Sequence, residues 1–294
     1  MGGVVVVALV LNPFYWIFPL AFVLLVSLAG VYEFYSLVDR GLDGRPFRAG
    51  GMLFTVLISL AFYAQLLLFQ QHIPVADLPA FHTAFASVFY PGLSLVPLLL
   101  IALNIVTLVY HLFFRPLDGT TYGVSTTILG VLYVNIPLGH ALLYFGWANG
   151  IFYLLLIALI TIGSDAGAYF AGRWFGKHNA GLKVSPKKTY EGYAGGLIFS
   201  VIVAIAFLIG WESFSGVDVP MGYLEAGVLG LVFSVITVLG DLAESALKRD
   251  ARIKDSASLI PGHGGILDLI DSMLFTFPLG FYYFYLKQFA GLAI

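Results

Sequence analysis

Runs of residues apolar enough to cross a bilayer follow one another along nearly the whole chain, and nothing else in the sequence limits the fold so strongly. A helix needs about 20 apolar residues to traverse a hydrocarbon core roughly 30 Å thick. Such runs occupy residues 3–36, 50–70, 92–114, 121–145, 150–171, 192–211, 222–245 and 266–288. In lipid the backbone must satisfy its own hydrogen bonds, so runs of this kind fold as helices. The first is too long for one straight crossing and is interrupted by Asn12-Pro13 and Pro19. It is either one tilted span with a stub or a tight hairpin. The expected fold class is all-α, a polytopic integral membrane protein with about eight or nine transmembrane helices. With 60% hydrophobic and 10% charged residues, the chain is far from the roughly half and one quarter of soluble domains. Its apolar beginning lacks a basic segment and a small-residue cleavage pattern, so it reads as a membrane segment and not as a removed signal peptide. The absence of cysteine excludes disulfides, thiolate catalysis and Cys-ligated metals.

The basic residues orient the chain. Arg40, Arg45 and Arg48 follow the first run and Arg115 the third. Arg173, Lys177, Lys183, Lys187 and Lys188 follow the fifth; Lys248, Arg249, Arg252 and Lys254 follow the seventh. The intervening stretches 71–91, 146–149 and 212–221 contain no Lys or Arg. Of the 14 basic residues only Lys287 breaks the alternation, and an excess of Lys and Arg marks the cytoplasmic side. Loops 172–190 and 246–265 then face the cytoplasm together.

Four polar stretches carry candidate chemistry. In "GDLAESALKRD", Asp241, Glu244, Ser245 and Lys248 share one helix face. They are either a solvated helix end with local Glu–Lys pairing or a site, since a carboxylate inside an apolar span is expensive and commonly functional. In "PGHGGILDLID", Gly264 and Gly265 allow close backbone approach before a helix whose amides could meet phosphate oxygens. Asp268 and Asp271 lie three residues apart in the first turns of that helix. His263 is either a local hydrogen-bonding residue or a ligand. In "KVSPKKTYEGYAGG", Ser185-Pro186 reads as an N-cap followed by proline at the first helical position. Lys187, Lys188 and Thr189 would then crowd a helix amino terminus, which suits cations only if an anion joins them; the alternative is a purely topogenic basic loop. Asp165 lies among Gly163, Ala166, Gly167 and Ala168 in an apolar run, either pairing with a basic neighbour or serving a site. Carboxylates of this kind suit a hard divalent cation held together with substrate phosphates. No paired histidines suggest zinc, and the Walker, GxGxxG and GxSxG patterns are absent.

The stretch "SALKRDARIKDSASLIPGHGGILDLID", residues 245–271, resembles the signature of the phosphatidate cytidylyltransferases, the CDP-diacylglycerol synthases. Ser245, Lys248, Arg249, Lys254, Asp255, Pro261, His263, Gly264, Gly265, Asp268 and Asp271 meet its fixed positions. "SPKKTYEG" and the Asp165–Gly172 run also look like this family, so the resemblance covers the carboxyl-terminal half. One departure is Leu269, where the family usually has Arg.

The resemblance implies a magnesium-dependent nucleotidyl transfer, from CTP and phosphatidic acid to CDP-diacylglycerol and pyrophosphate. It implies Asp241 and Asp268 as metal ligands, a second cation being an open question, with Asp271 in support. Lys187, Lys188, Lys248 and Arg249 would contact phosphates. Ser185, Thr189 and Asp165 would belong to the substrate site, and His263, Gly264 and Gly265 to a nucleotide cradle. The expected organisation is one membrane domain, with residues 1–150 of undefined role and 151–294 as the catalytic half. Expected partners are CTP, phosphatidic acid and the lipid bilayer, without nucleic acid, and a homo-oligomer is compatible with this reading. The expected location is a bacterial inner membrane with the site facing the cytoplasm. Alternatives are a CTP-dependent polyprenol or dolichol kinase-like enzyme and a transporter with an intramembrane carboxylate site.

The orientation is directly testable in a chain without native cysteine. Single cysteines at Ala180 and Ser258 should react with membrane-impermeant labels only from the cytoplasmic side; labelling of either from outside intact cells would refute it.

Overall fold

A computed structural model describes residues 17–41, 44–68, 94–216, 218–253, 256 and 264–289. Among these it is helical and without a strand; Asn179 and Thr189 form an isolated bridge. Among the described residues eight stretches are long and apolar enough to cross a membrane, in agreement with the all-α polytopic expectation. The first runs as one helix from Ile17 to Val38 and accommodates Pro19 in its opening turn, where the missing amide hydrogen is not needed. Asn12-Pro13 lies outside the described residues.

The chain divides into two compact units, Met1–Gly150 with Ser256–Leu267, and Ile151–Asp255 with Asp268–Ile294. The first unit contains α1 (Ile17–Val38), α2 (Arg48–Leu68), α3 (Leu95–Phe114), α4 (Thr120–Gly130) and α5 (Ile136–Tyr144). A five-residue π-helical segment, Val131–Asn135, joins α4 to α5 in one crossing. Buried polar side chains tie these helices together. Tyr35 donates to the Thr127 carbonyl at 2.7 Å, Ser59 donates to Asn135 Oδ1 at 2.9 Å, and Asn135 Nδ2 donates to the Thr55 carbonyl at 3.2 Å. Hydrogen bonds of this kind join helices where burial of apolar surface gives no preference for protein over lipid.

The second unit contains α6 (Gly150–Phe175), α7 (Tyr190–Ser215), α8 (Tyr223–Asp250) and α10 (Met273–Phe289). The short α9 (Ile266–Ile270) straddles the sequence boundary between the units. Helices α6 and α7 meet through small residues. A Cβ on Gly195 would lie 2.1 Å from the Ala171 Cβ, and one on Gly167 would lie 2.5 Å from the Phe199 Cβ. Helix α8 presses equally close to α7, where a Cβ on Gly230 would lie 2.9 Å from the Val201 Cα. Hydroxyls complete the crossings: Ser164 and Ser234 share a 2.7 Å hydrogen bond, Thr161 donates to Thr276 at 3.0 Å, and Ser200 donates to the Gly230 carbonyl at 2.9 Å. Near one end of α8 and α10, Lys287 donates to both Glu225 oxygens at 2.7 Å, and Tyr283 adds a third donor at 2.9 Å.

Two local expectations are corrected. Ser185-Pro186 is not a helix cap. The Lys188 amide donates to the Ser185 carbonyl at 3.3 Å, so these residues make a β-turn with serine first and proline second, a sequence that also favours that turn. The cap is Thr189, whose side chain accepts the Gly192 amide hydrogen at the start of α7. Nor do Asp268 and Asp271 share one continuous helix. Helix α9 ends at Ile270, and the Ser272 amide donates to Asp271 Oδ1 at 2.5 Å. Asp and Ser side chains compete with the backbone for such bonds, which separates α9 from α10.

The small-residue seam makes a measurable difference along one helix. Gly195→Ala should destabilise the detergent-solubilised protein by about 1–3 kcal/mol through overpacking. Gly210→Ala on the same α7, where a Cβ meets nothing within 4 Å, should not; thermal unfolding of the two variants compares them.

Candidate functional site

In the second unit, the ends of α6 and α8, the start of α7 with the loop before it, Asp268 of α9 and the link between α9 and α10 surround a cavity of about 740 Å³. Four carboxylates line it, Asp165, Asp241, Asp268 and Asp271, and four cations, Arg173, Lys187, Lys188 and Lys248. The local sequence explains the placement. Asp241 and Lys248 are two turns apart on α8, and the Ser185–Lys188 turn delivers Lys187 and Lys188 just before the Thr189 cap. The turn is braced at its base, where the Ala180 amide donates to the Lys188 carbonyl at 2.8 Å and the Tyr190 amide donates to the His178 carbonyl at 3.0 Å.

The charges are paired across elements. Lys188 Nζ contacts Asp241, and Lys248 Nζ donates to Asp268 Oδ1 at 2.6 Å while also contacting Glu244. Glu244, fully buried, is answered by Lys248 one turn along α8. Ser245 donates to Asp241 at 3.4 Å, so the residues expected on one face of α8 do touch one another. Asp165 interacts electrostatically with Asp271 and Asp241. Carboxylates this close repel unless cations stand among them. Here lysines do so.

The other expected residues lie as follows. Thr189 lines the cavity beside Gly192, and Ser185 begins the adjoining turn without lining it. Arg249 is exposed; its Nε donates to the Val184 carbonyl and its Nη1 to the Ile253 carbonyl, each at 3.3 Å, and it does not line the cavity. Leu269 is also exposed. Gly264 and Gly265 belong to the first unit; Gly264 has φ +92° and Gly265 is buried. His263 lies outside the described residues, as do Lys254, Asp255 and Pro261.

Sequence reasoning missed several contributors. Tyr193 lines the cavity with Lys188 Nζ 5.8 Å from its ring centroid, and Arg173 is held there by a 2.9 Å hydrogen bond to the Tyr169 hydroxyl. Glu33, in the first unit, is a buried carboxylate that was not singled out. It could have been found by the rule that already selected Asp241, that an ionisable residue within a span is a functional candidate.

A divalent cation fits this donor set. No group of three His, Cys, Asp or Glu among the described residues surrounds a single point. Magnesium needs no such cage, since it keeps several waters and takes one or two carboxylates together with substrate phosphates. Asp241 and Asp268 are the carboxylates that could hold one, and Lys187, without an ion-pair partner among the described residues, lines the same cavity.

Comparison with known proteins agrees with these features. A sequence model described as "Cytidylyltransferase family" matches residues 1–287. Among curated relatives, the phosphatidate cytidylyltransferase of Bacillus subtilis is 40% identical over 141 residues, 48% of this chain and 49% of that protein. That of Haemophilus influenzae is 44% identical over 138 residues, 47% and 46% of the two chains. That of Synechocystis is 35% identical over 204 residues, 59% and 66%. The matches thus span about half to two thirds of these relatives' lengths. The chain belongs to the cytidylyltransferase family.

The Glu244–Lys248 pair generates a stability prediction. Lys248→Met should leave a buried carboxylate unanswered and destabilise the protein by about 3 kcal/mol. Adding Glu244→Gln should recover most of that loss in thermal unfolding; an equally stable Lys248→Met single variant would show that the pair is immaterial to folding.

Proposed function

We propose that this member of the cytidylyltransferase family transfers the cytidylyl group of CTP to phosphatidic acid, giving CDP-diacylglycerol and pyrophosphate. A phosphate oxygen of the lipid attacks the α-phosphorus of CTP, and the bond from that phosphorus to the oxygen bridging the α- and β-phosphates breaks. No strong base is required, because the attacking phosphate is already anionic. The barrier is the approach of two polyanions in line, which positioning and charge neutralisation lower. The observation that carries this reading is the pairing of Lys188 with Asp241 and Lys248 with Asp268 in one cavity at the ends of membrane spans.

Asp241 and Asp268 are the residues that would hold magnesium, with Asp271 and Asp165 in support. When bound, the metal ion supplies charge neutralisation at phosphoryl oxygens. Each carboxylate so engaged leaves its lysine partner available, so Lys188 and Lys248, with Lys187, can turn to phosphates without crossing the cavity. Thr189 and the Ser185 turn set the position of those lysines. Arg249 braces that turn through Val184 and serves as a further cation for phosphates. His263, Gly264 and Gly265 form the nucleotide cradle by their place in the family motif. A lipid substrate and a soluble nucleotide meet naturally at a membrane face, here the cytoplasmic face of a bacterial inner membrane.

The purified protein should release pyrophosphate only when CTP, phosphatidic acid and magnesium are all present. Label from the α-phosphate of CTP, and not from the γ-phosphate, should enter the lipid; γ-label in the lipid would instead indicate a kinase. Asp241→Asn and Asp268→Asn should each lower turnover by about a hundred-fold or more, the scale of losing one electrostatic stabiliser. Both variants should remain folded. If both retain near-normal activity at ordinary magnesium concentrations, the metal site lies elsewhere.

A further inference from the structure

The first unit carries a cavity of its own. Asp39 just beyond α1, Arg45 and Phe47 in the following loop, Arg48 at the start of α2, and Tyr110 and Arg115 at the end of α3 line a space of about 430 Å³. All belong to Met1–Gly150, and none lines the cavity of the second unit. Three guanidinium groups thus share one carboxylate. Asp39 Oδ1 accepts from Arg45 Nε at 3.3 Å, and its Oδ2 accepts from Arg48 Nη2 at 2.9 Å. Arg115 has no ion-pair partner among the described residues. Asp118, three residues on, is exposed and lines a smaller space of about 70 Å³ that also involves Arg45 and Arg115, but it pairs with neither.

Two of the arginines are short of acceptors as well as of counter-charge. The Nε atoms of Arg48 and Arg115 are buried and donate to nothing among the described residues. A buried donor without an acceptor is costly, the more so on a charged group. Arginines that served only to orient the chain would avoid that cost by standing in water. Arg115 is instead kept against the cavity wall, its Cζ 5.6 Å from the Tyr110 ring centroid. Tyr110 stacks on Phe47 with centroids 3.7 Å apart, and the Phe47 amide donates to Thr127 Oγ1 at 2.8 Å, which ties the wall to α4.

The planar fork of arginine matches a phosphate through parallel N–H donors. A basic pocket among the ends of membrane helices suits the headgroup of an anionic lipid. The surface beside it suits the rest of that lipid. Phe113, Phe114 and Leu117, flanking Arg115, are 71%, 73% and 77% exposed, and α3 is the least buried of the eight spans. Acyl chains can lie along α3 while the phosphate enters the cavity.

We propose that this cavity binds the phosphate of an anionic phospholipid headgroup. Arg48 and Arg115 donate to it through their buried Nε–H groups, and Asp39 orients Arg45 and Arg48. The site does not depend on the nucleotidyl transfer proposed above.

The full-length protein in detergent, titrated with phosphatidylglycerol, phosphatidylcholine or sodium phosphate and followed by thermal unfolding, tests this. Phosphatidylglycerol should raise the unfolding temperature saturably, and zwitterionic phosphatidylcholine at the same concentrations should not. Arg115→Gln should weaken the phosphatidylglycerol Kd by about ten-fold or more, the effect of losing a charge-assisted hydrogen bond. Arg115→Lys keeps the charge that orients the chain but loses the fork, and should weaken the Kd by about five-fold; it decides the matter if Arg115→Gln does not fold. Lys187→Gln, which removes a cation from the cavity of the second unit, should bind phosphatidylglycerol as the wild type does. Equal stabilisation by the two lipids, or a phosphatidylglycerol Kd unchanged by substitution of Arg115, would overturn the proposal. So would an Arg115-dependent effect of sodium phosphate that the lipid does not exceed, which would make the ligand a free anion.

Discussion

Charge buried among membrane helices must be answered within reach of the side chain that carries it, because moving an unpaired ion into low dielectric is prohibitive. In this protein the answers differ in kind. Asp241 and Asp268 are met by lysines, Glu244 shares the second of those lysines, and Glu33 is met by backbone amides and a hydroxyl. The distinction has chemical content. A lysine can leave a carboxylate for a phosphate when another cation takes its place, whereas an amide hydrogen bond to Glu33 is part of the backbone's own course. The first arrangement suits exchange and the second suits fixation.

The helix framework serves these charges. Close packing of α6, α7 and α8 through Gly167, Gly195 and Gly230 brings backbones together with little side-chain bulk between them. That leaves Asp165 on α6, Thr189 at the start of α7 and Asp241 on α8 around one cavity. Hydroxyl contacts such as Ser164 with Ser234 fix the depth at which the helices cross. Precision at the polar end is inherited from small residues in the apolar middle.

Much of this was legible in the sequence because hydropathy and charge report on different things. The spans followed from apolar run length, and Asp165, Asp241, Asp268 and Asp271 stood out as carboxylates beside or within them. Their convergence on one cavity, together with Lys187, Lys188 and Lys248, accords with that reading. What was not legible is tertiary. That Lys188 meets Asp241 depends on how the loop before α7 reaches α8, which no local pattern encodes. Ser185-Pro186 satisfies the rules for a helix cap and for a β-turn equally, and only the Thr189 cap four residues later decides between them. Glu33 stood within a span, but its partners lie more than two hundred residues away in sequence, so only the fold shows what answers its charge.

Lys287, the single basic residue that broke the alternation of charged and uncharged loops, is bound through both oxygens of Glu225, with Tyr283 sharing the acceptor. A lysine neutralised in this way contributes no net charge to the membrane end on which it stands. Once α8 and α10 pack, the exception becomes electrically silent. The alternation of charge along the sequence is therefore more complete in the folded protein than a count of basic residues indicates. Substituting Glu225 alone would leave an unanswered cation where the ends of α8 and α10 pack together.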